Sequence, residues 1–368
     1  MSGAEERLPV SVLTGFLGSG KTTLLSRLLR HPDMRDTAVI INEFGEVGLD
    51  HQLVEKADED TILMNSGCLC CTIRGDLVNT LRELFLKRVR GEVPEFRRVV
   101  IETTGLADPA PILHTLMSDP LVSARFRLDG VITTVDAVNG AGTLDRQMES
   151  VKQAAVADRI LLTKTDLAGA AERELLMARL RVLNPGAPVR PVTHGEVGPE
   201  ELFNAGLYDP SRKSLDVQGW LRAEAYEGSD QDHGHDHHDH DHDHDHDHEH
   251  GHGRPDVNRH DARISSFCLT IDRPVEWSQL AYWLDLLASY RGDDLLRVKG
   301  ILNVAGSDRP VVVHGVQHLF HPPVQLEAWP DADRRSRIVF ITRDIPRATI
   351  EQTLNAMLGD GAEAKAAG

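Results

Sequence analysis

Seven short apolar runs recur along the first half of the chain: LPVSVLT (8–14), AVIIN (38–42), TILMN (61–65), RRVVIETT (97–104), GVITTVD (130–136), RILLTKTD (159–166) and PVRPV (188–192). Stretches with helical apolar spacing, such as DLVNTLRELFLKRVR (76–90), separate several of them. Strands that are apolar on both faces belong inside a mostly parallel sheet covered by helices. The pattern therefore predicts an α/β, doubly wound fold with ligands at the carboxyl ends of the strands. After residue 263 the pattern changes. Strands at ISSFCLTI (264–271), LLRVKGILNV (295–304), PVVVHGVQHLFH (310–321) and SRIVFIT (336–342) alternate with helices over 276–290 and 345–358. This predicts a smaller α+β domain with an antiparallel sheet.

Between the two lies a segment that can form neither. Residues 230–253 hold eleven His, eight Asp and one Glu with no Lys or Arg, and have no apolar surface to bury. The chain of 368 residues is thus read as a domain over 7–203, a linker over 204–262 containing the disordered histidine run, and a second domain over 263–360. The run supplies −9 of the net charge of −17, leaving −8 for the rest and no basic stripe for a nucleic acid. Its neutral imidazoles suit Zn²⁺, Ni²⁺ or Co²⁺, so capture of metal is expected, with a solvated acidic tether as the alternative.

The first strand runs into GFLGSGKT, a complete G-x-x-x-x-G-K-[ST] turn followed by a helical pattern. Gly15, Gly18 and Gly20 let backbone N–H groups wrap phosphates, Lys21 reaches the β- and γ-phosphates, and Thr22 ligands Mg²⁺. The sheet is therefore that of a P-loop NTPase. At LLTKTD, the Lys164 stem can pack on a base while Asp166 accepts from the N–H and amine of guanine, a donor pair adenine lacks. Thr163 stands where GTPases usually carry Asn. Glu102, ending the strand before TTGLADP, is the acid expected to hold Mg²⁺, and Gly105 offers a backbone N–H to the γ-phosphate. Asp129 and Asp136 are read as structural. Leu106 offers nothing to orient water, so slow hydrolysis awaiting a partner or a metal is expected.

Three of the four cysteines crowd into GCLCC (67–71). The opening MSGAEERLPV is not an export signal and no apolar run approaches a membrane span, so a cytoplasmic location and reduced thiols are expected. Cys68 and Cys71 form a C-x-x-C pair with Cys70 as a third soft ligand, leaving one position open, or closed by Glu43 or Glu46. A redox pair or an inert cluster are the alternatives. Cys268 alternates inward with apolar neighbours and reads as core; His314, His318 and His321 are left unassigned.

GFLGSGKTTLL, NEFGEVGLD, GCLCCTIRGDL, IETTGLADP and LLTKTD, in this order, resemble the CobW family of P-loop GTPase metallochaperones. The likeness continues beyond the histidine run in LLRVKGILNV and VVVHGVQHLFH. The resemblance implies a GTPase (GTP + H₂O to GDP + phosphate) that transfers Zn²⁺, or Co²⁺ or Ni²⁺, to a client metalloprotein, without nucleic acid or membrane and with homo-oligomerisation left open. It places phosphates and Mg²⁺ at Gly15 to Thr22 (Ser19 among them, with Thr23 beside them), cargo metal at Cys68, Cys70 and Cys71, and guanine at Thr163, Lys164 and Asp166. Ile41 departs from relatives with Glu before NEFGE, which removes a candidate oxygen ligand. The rival readings are a nucleotide-switched metal buffer or sensor, and cobalt delivery in cobalamin biosynthesis.

Overall fold

The computed structural model describes residues 7–41, 62–65, 73–203, 263–359 and 364–366. In the N-terminal unit, β1 (Leu8–Gly15), β2 (Thr37–Ile41), β3 (Ile62–Asn65), β4 (Arg98–Glu102), β5 (Phe126–Asp136), β6 (Arg159–Thr163) and β7 (Val189–Pro191) form one sheet in the order β3-β2-β4-β1-β5-β6-β7. Every pairing in it is parallel. The chain builds β2, β3 and β4 on one side of β1, then crosses over between β4 and β5 to build β5, β6 and β7 on the other. This topological switch opens a crevice at the carboxyl end of β1.

Alternation along each strand divides the core. Val10, Val12, Val99 and Ile101 face one helical layer containing Leu81, Leu84, Leu113 and Leu116, whereas Leu13, Val39 and Val100 face Leu24, Leu25 and Leu28 of the helix Lys21–Leu28. Each such fully buried aliphatic side chain contributes about 1.5–3 kcal/mol.

The sheet differs most from the sequence pattern at two strand ends. β5 starts at Phe126 rather than 130, because Arg127 and Asp129 are buried along β1 instead of forming a turn; Ser11 Oγ donates to Asp129 at 3.1 Å. β6 ends at Thr163, since Lys164 takes φ 55°, which a strand cannot continue through.

The C-terminal unit contains β8 (Ile264–Ile271), β9 (Leu295–Leu302), β10 (Val311–Val316), β11 (Leu319–Phe320), β12 (Val324–Gln325), β13 (Ser336–Arg343) and β14 (Ala364–Ala366). They form an antiparallel sheet, β11-β10-β9-β13-β8-β14, with β12 beside β10. Helices Trp277–Arg291 and Arg347–Leu358 cover one face. The run 310–321, expected as one strand, is a tight hairpin turning at Gln317 (φ 52°). Gly315 makes this hairpin feasible, because a Cβ there would lie 2.6 Å from the Phe320 ring. Cys268 is buried core, and burial pushes its thiol up to about 11. His314 is buried on β10; desolvation, then the Lys299 and Arg297 charges, keeps it neutral. His318 sits in the turn beside Asp293, and His321 donates its N–H to the His314 carbonyl.

The other face of this sheet packs on the first domain. Ile301, Val312, Val316 and Val339 join the same cluster as Leu113, Leu116 and Met117. At its centre Asp158 accepts from Arg297 Nη2 and from Lys299 Nζ, each at 2.6 Å, and all three are buried. Burial pushes the Asp158 carboxyl up, but the two cations outweigh it and hold the carboxyl well below the usual range.

Asp158→Asn would remove the carboxylate to which both buried cations donate. It is expected to cost about 3–5 kcal/mol in urea unfolding. Because the folded-state carboxyl titrates below its unfolded value, the pair's contribution is fully present above about pH 4 and is lost only as pH falls through the depressed value. The gap between wild type and variant should therefore hold from neutral pH down to about pH 4 and close only in stronger acid.

Candidate functional site

β1 delivers the chain to a turn that only particular residues permit. A Cβ on Gly15 (φ 140°) would lie 2.3 Å from Thr134 Oγ1 and 2.4 Å from the Thr134 carbonyl oxygen of β5. Gly20 (φ 93°) caps the following helix, whose first N–H groups have no partners of their own within the helix. Ser19 Oγ meets Thr134 Oγ1 at 2.7 Å, and its N–H bonds to the Phe16 carbonyl. Lys21 Nζ folds back on the Gly15 and Phe16 carbonyls at 2.8 and 3.2 Å, inside the loop and poised over the space an anion would fill.

The opposite wall is the segment after β4. Thr22 Oγ1 donates to Glu102 Oε1 at 2.9 Å, and Glu102 is only 5% exposed. Thr103 is tied to β1 through its N–H to the Leu13 carbonyl and its hydroxyl to Thr14 Oγ1 at 2.8 Å. Between the walls lies a cleft of about 370 Å³, lined by Leu17, Gly18 and Gly20 to Thr23 on one side and Glu102 to Leu106 on the other, with Ile41 and Lys164 at its ends. Ligand pockets commonly span roughly 300–1,000 Å³.

The structure thus brings Gly18, Gly20, Lys21, Thr22, Thr23, Glu102, Gly105 and Lys164 to one cavity. Gly15 lies beneath it, and Ser19 lines a smaller neighbouring hollow that shares Leu17, Gly18 and Lys164. Thr163, in place of the usual Asn, donates its hydroxyl to the Ser19 carbonyl at 2.7 Å and braces the loop from below. Lys164 reaches Asp136 at 2.7 Å. Asp136 also receives the N–H groups of Val138 and Asn139 and the Asn139 amide. Burial pushes the Asp136 carboxyl up; the Lys164 and Asn139 hydrogen bonds outweigh it and hold the carboxyl below its usual range. Asp136 is therefore part of the site's framing, which its strand-end position did not reveal. Asp166 is not among the lining residues and lies further along, 3.8 Å from His194 Nδ1.

A second residue escaped the sequence pattern. Gln153, on the helix Met148–Ala155, is wholly buried and donates to the Gly105 and Ala107 carbonyls. A glutamine beside Val151, Ala154 and Ala155 on the buried side of an amphipathic helix was the available signal. Cys68, Cys70, Cys71, Glu43, Glu46 and the histidine run lie outside the described residues. Strand register fixes where the cysteine segment departs, however. Asn65, the last residue of β3, pairs with Ile41, which in turn pairs with Glu102. Two strand spacings, about 10 Å, separate the backbone at Asn65 from that at Glu102. Among the described residues no helix is long and apolar enough to cross a membrane.

Two hard oxygens, Thr22 Oγ1 and Glu102 Oε1, face each other beside a lysine at a helix N-terminus, a donor set that fits Mg²⁺ bound with a phosphate. Comparison with known proteins points to a nucleotide-binding domain. Residues 9–191 match the family described as CobW/HypB/UreG, nucleotide-binding domain, and residues 264–358 match the cobalamin synthesis protein cobW C-terminal domain. The chain is 35% identical over 343 residues to the zinc chaperone YjiA of Escherichia coli strain K12, covering 93% of this chain and 96% of that one. It is 30% identical over 373 residues to the zinc chaperone CobW of Pseudomonas aeruginosa, covering 96% and 92%. The crystal structure of Zn(II)-bound YjiA GTPase from E. coli superposes with a TM-score of 0.68 at 31% identity, over 97% of this chain and all of that one.

Glu102→Gln keeps the shape of the cleft while removing the charge opposite Thr22. GTP turnover at fixed Mg²⁺ is expected to fall roughly 10–100-fold, as for an outer metal partner, with GDP binding retained. Steady-state phosphate release and GDP titration check it.

Proposed function

The chain belongs to the CobW/HypB/UreG family, among its zinc-chaperone GTPases, and from that premise we propose that it couples GTP hydrolysis to transfer of Zn²⁺ from Cys68, Cys70 and Cys71 to a client metalloprotein. The observation that carries this reading is the strand row Asn65–Ile41–Glu102, which starts the cysteine segment two strands from the acid beside the P-loop lysine.

In this reading the phosphates lie against the N–H groups of Gly18 to Thr22, and Lys21 exchanges its two carbonyl partners for phosphate oxygens. Thr22 and Glu102 hold Mg²⁺, which when bound neutralises charge on the phosphate oxygens. Lys164, steadied by Asp136, lays its stem along the base, and Asp166 closes on the guanine N–H and amine once nucleotide is bound. Water attacks the γ-phosphorus, the bond to the β–γ bridging oxygen breaks, and phosphate leaves GDP. Leu106, exposed beside Gly105, offers the attacking water no hydrogen bond. Turnover is therefore slow until a client or a bound metal supplies the missing group. Zn²⁺ is the favoured cargo because both full-length relatives are named zinc chaperones; three thiolates also suit it. The histidine run serves as a collecting arm whose loading falls below about pH 6.5, where imidazole protonates.

The test is Zn²⁺ affinity of the full-length protein, by competition with a chromophoric chelator, with Mg²⁺ and either a non-hydrolysable GTP analogue or GDP. The tight site should differ between the two states by about 5–150-fold, the usual range of allosteric coupling, and should vanish when Cys68, Cys70 and Cys71 are all changed to Ser. Equal affinities in both states would instead indicate a static metal buffer.

A further inference from the structure

The turn between β4 and the helix Ala110–Ser118 forms the wall of the cleft opposite the P-loop, yet it has no regular secondary structure to hold it. Beyond the Thr103 bonds to β1, two contacts hold its centre. On one side it lies directly on the P-loop backbone: a Cβ at Gly105 would come within 2.6 Å of the Leu17 nitrogen and 2.7 Å of its Cα. On the other side stands Gln153, whose Nε2 donates to the Gly105 carbonyl at 3.2 Å and to the Ala107 carbonyl at 3.0 Å.

Gln153 is an expensive choice for that position. Its neighbours Val151, Ala154 and Ala155 are buried, it is itself 0% exposed, and its Oε1 is buried with no hydrogen-bond partner among the described residues. Burying an unsatisfied acceptor costs free energy that a methionine or leucine of similar volume would not incur. What the glutamine offers in return is a pair of N–H donors aimed at two carbonyls of the turn. The helix bearing it is anchored in turn, since Thr133 Oγ1 of β5 donates to the Gln153 carbonyl at 2.8 Å. The preceding residue closes the downstream end of the same turn, with Lys152 Nζ on Asp108 Oδ2 at 2.7 Å.

We propose that Gln153 is a positioning residue of the nucleotide site: through its two hydrogen bonds it sets the Thr103–Ala107 backbone so that Gly105 meets the terminal phosphate of a nucleoside triphosphate. The inference rests on the reading of the cleft as the nucleotide site with Lys21 at the phosphates. A diphosphate does not extend to Gly105. Loss of the clamp therefore weakens the triphosphate complex selectively, whereas a residue that merely filled the core would affect both nucleotides alike.

The experiment uses the full-length protein and its Gln153→Met, Gln153→Leu and Lys21→Ala variants. Dissociation constants for GDP and for a non-hydrolysable GTP analogue are measured with Mg²⁺, together with KM and kcat for GTP. Both Gln153 variants should bind the analogue about tenfold more weakly, the scale of one or two net hydrogen bonds, raise KM alike, and keep GDP affinity within about twofold. Wild-type affinity for both nucleotides in either variant overturns the proposal. So does an equal loss for both nucleotides, or failure of both variants to fold, because the residue would then hold the core rather than the turn. Lys21→Ala should weaken GDP and analogue together; if it binds them as wild type does, the reading of the cleft falls and the inference falls with it. Selective loss at Gln153 cannot then be mistaken for loss of the site.

Discussion

The functional face of this protein depends on how closely one strand end can approach the next. Gly15 ends β1 against the backbone of Thr134, at a distance no side chain would allow. That approach lets the chain curl back at once and present its N–H groups inward. Small hydroxyl residues then tie the strand ends together. Ser19 joins Thr134, Thr163 joins the Ser19 carbonyl, and Thr103 joins Thr14, all between 2.7 and 2.8 Å. Each bond adds little net stability, about 0.5–1.5 kcal/mol. Together they fix β1, β4, β5 and β6 at their carboxyl ends, so the cleft exists before any ligand enters. Preorganised donors of this kind need no rearrangement when phosphate arrives, which is the condition under which they bind an anion well.

The second domain is seated by charge as well as by apolar burial. Asp158 follows the helix that carries Gln153, and its two cationic partners come from β9 of the other sheet. Attraction between buried charges falls slowly with distance, but their hydrogen-bond geometry is strict, so this trio fixes orientation more than it adds stability. Close by, His114 Nε2 meets the Val316 carbonyl at 2.7 Å and Gln317 Nε2 reaches Asp108 at 3.2 Å. Asp108 thus takes Lys152 from one domain and Gln317 from the other. The turn beside the cleft is in direct contact with the β10–β11 hairpin, and a shift at one is felt at the other without any intermediate.

The sequence made the parallel sheet and the P-loop legible because both are written in local terms. Uninterrupted apolar runs mark strands buried on two faces, and glycine spacing marks a backbone wrapped round phosphate. What it hid were pairings between distant residues. FRLD, with two charges in four residues, falls outside the apolar run read from 130, and its place in β5 shows only when Asp129 is seen buried against Ser11, more than a hundred positions away. PVVVHGVQHLFH reads as one strand because Gln317 gives no local hint of its left-handed backbone; Gly315 and Phe320 reveal the hairpin only when packed together. Asp136 looked like an ordinary strand-end acid, and its meaning came from Lys164, just past the end of the neighbouring strand. Thr163 illustrates the reverse case. It departs from the usual residue, yet its hydroxyl alone suffices to brace the loop.

The order of strands also limits what the nucleotide can communicate. Lys164 stands at the end of β6, and its anchor Asp136 ends β5, both on one side of β1. Glu102 ends β4 on the other side, followed by β2 and then β3, from which the cysteine segment departs. In the reading proposed above, a nucleotide lying across the carboxyl end of β1 has its base end farthest from Asn65 and its phosphate end nearest to it. Hydrolysis of a bound triphosphate changes the phosphate end alone, and that end lies on the side of the strand row that includes Asn65. The parallel sheet places these chain segments in a single row, with only β2 between the Glu102 end of β4 and the Asn65 end of β3.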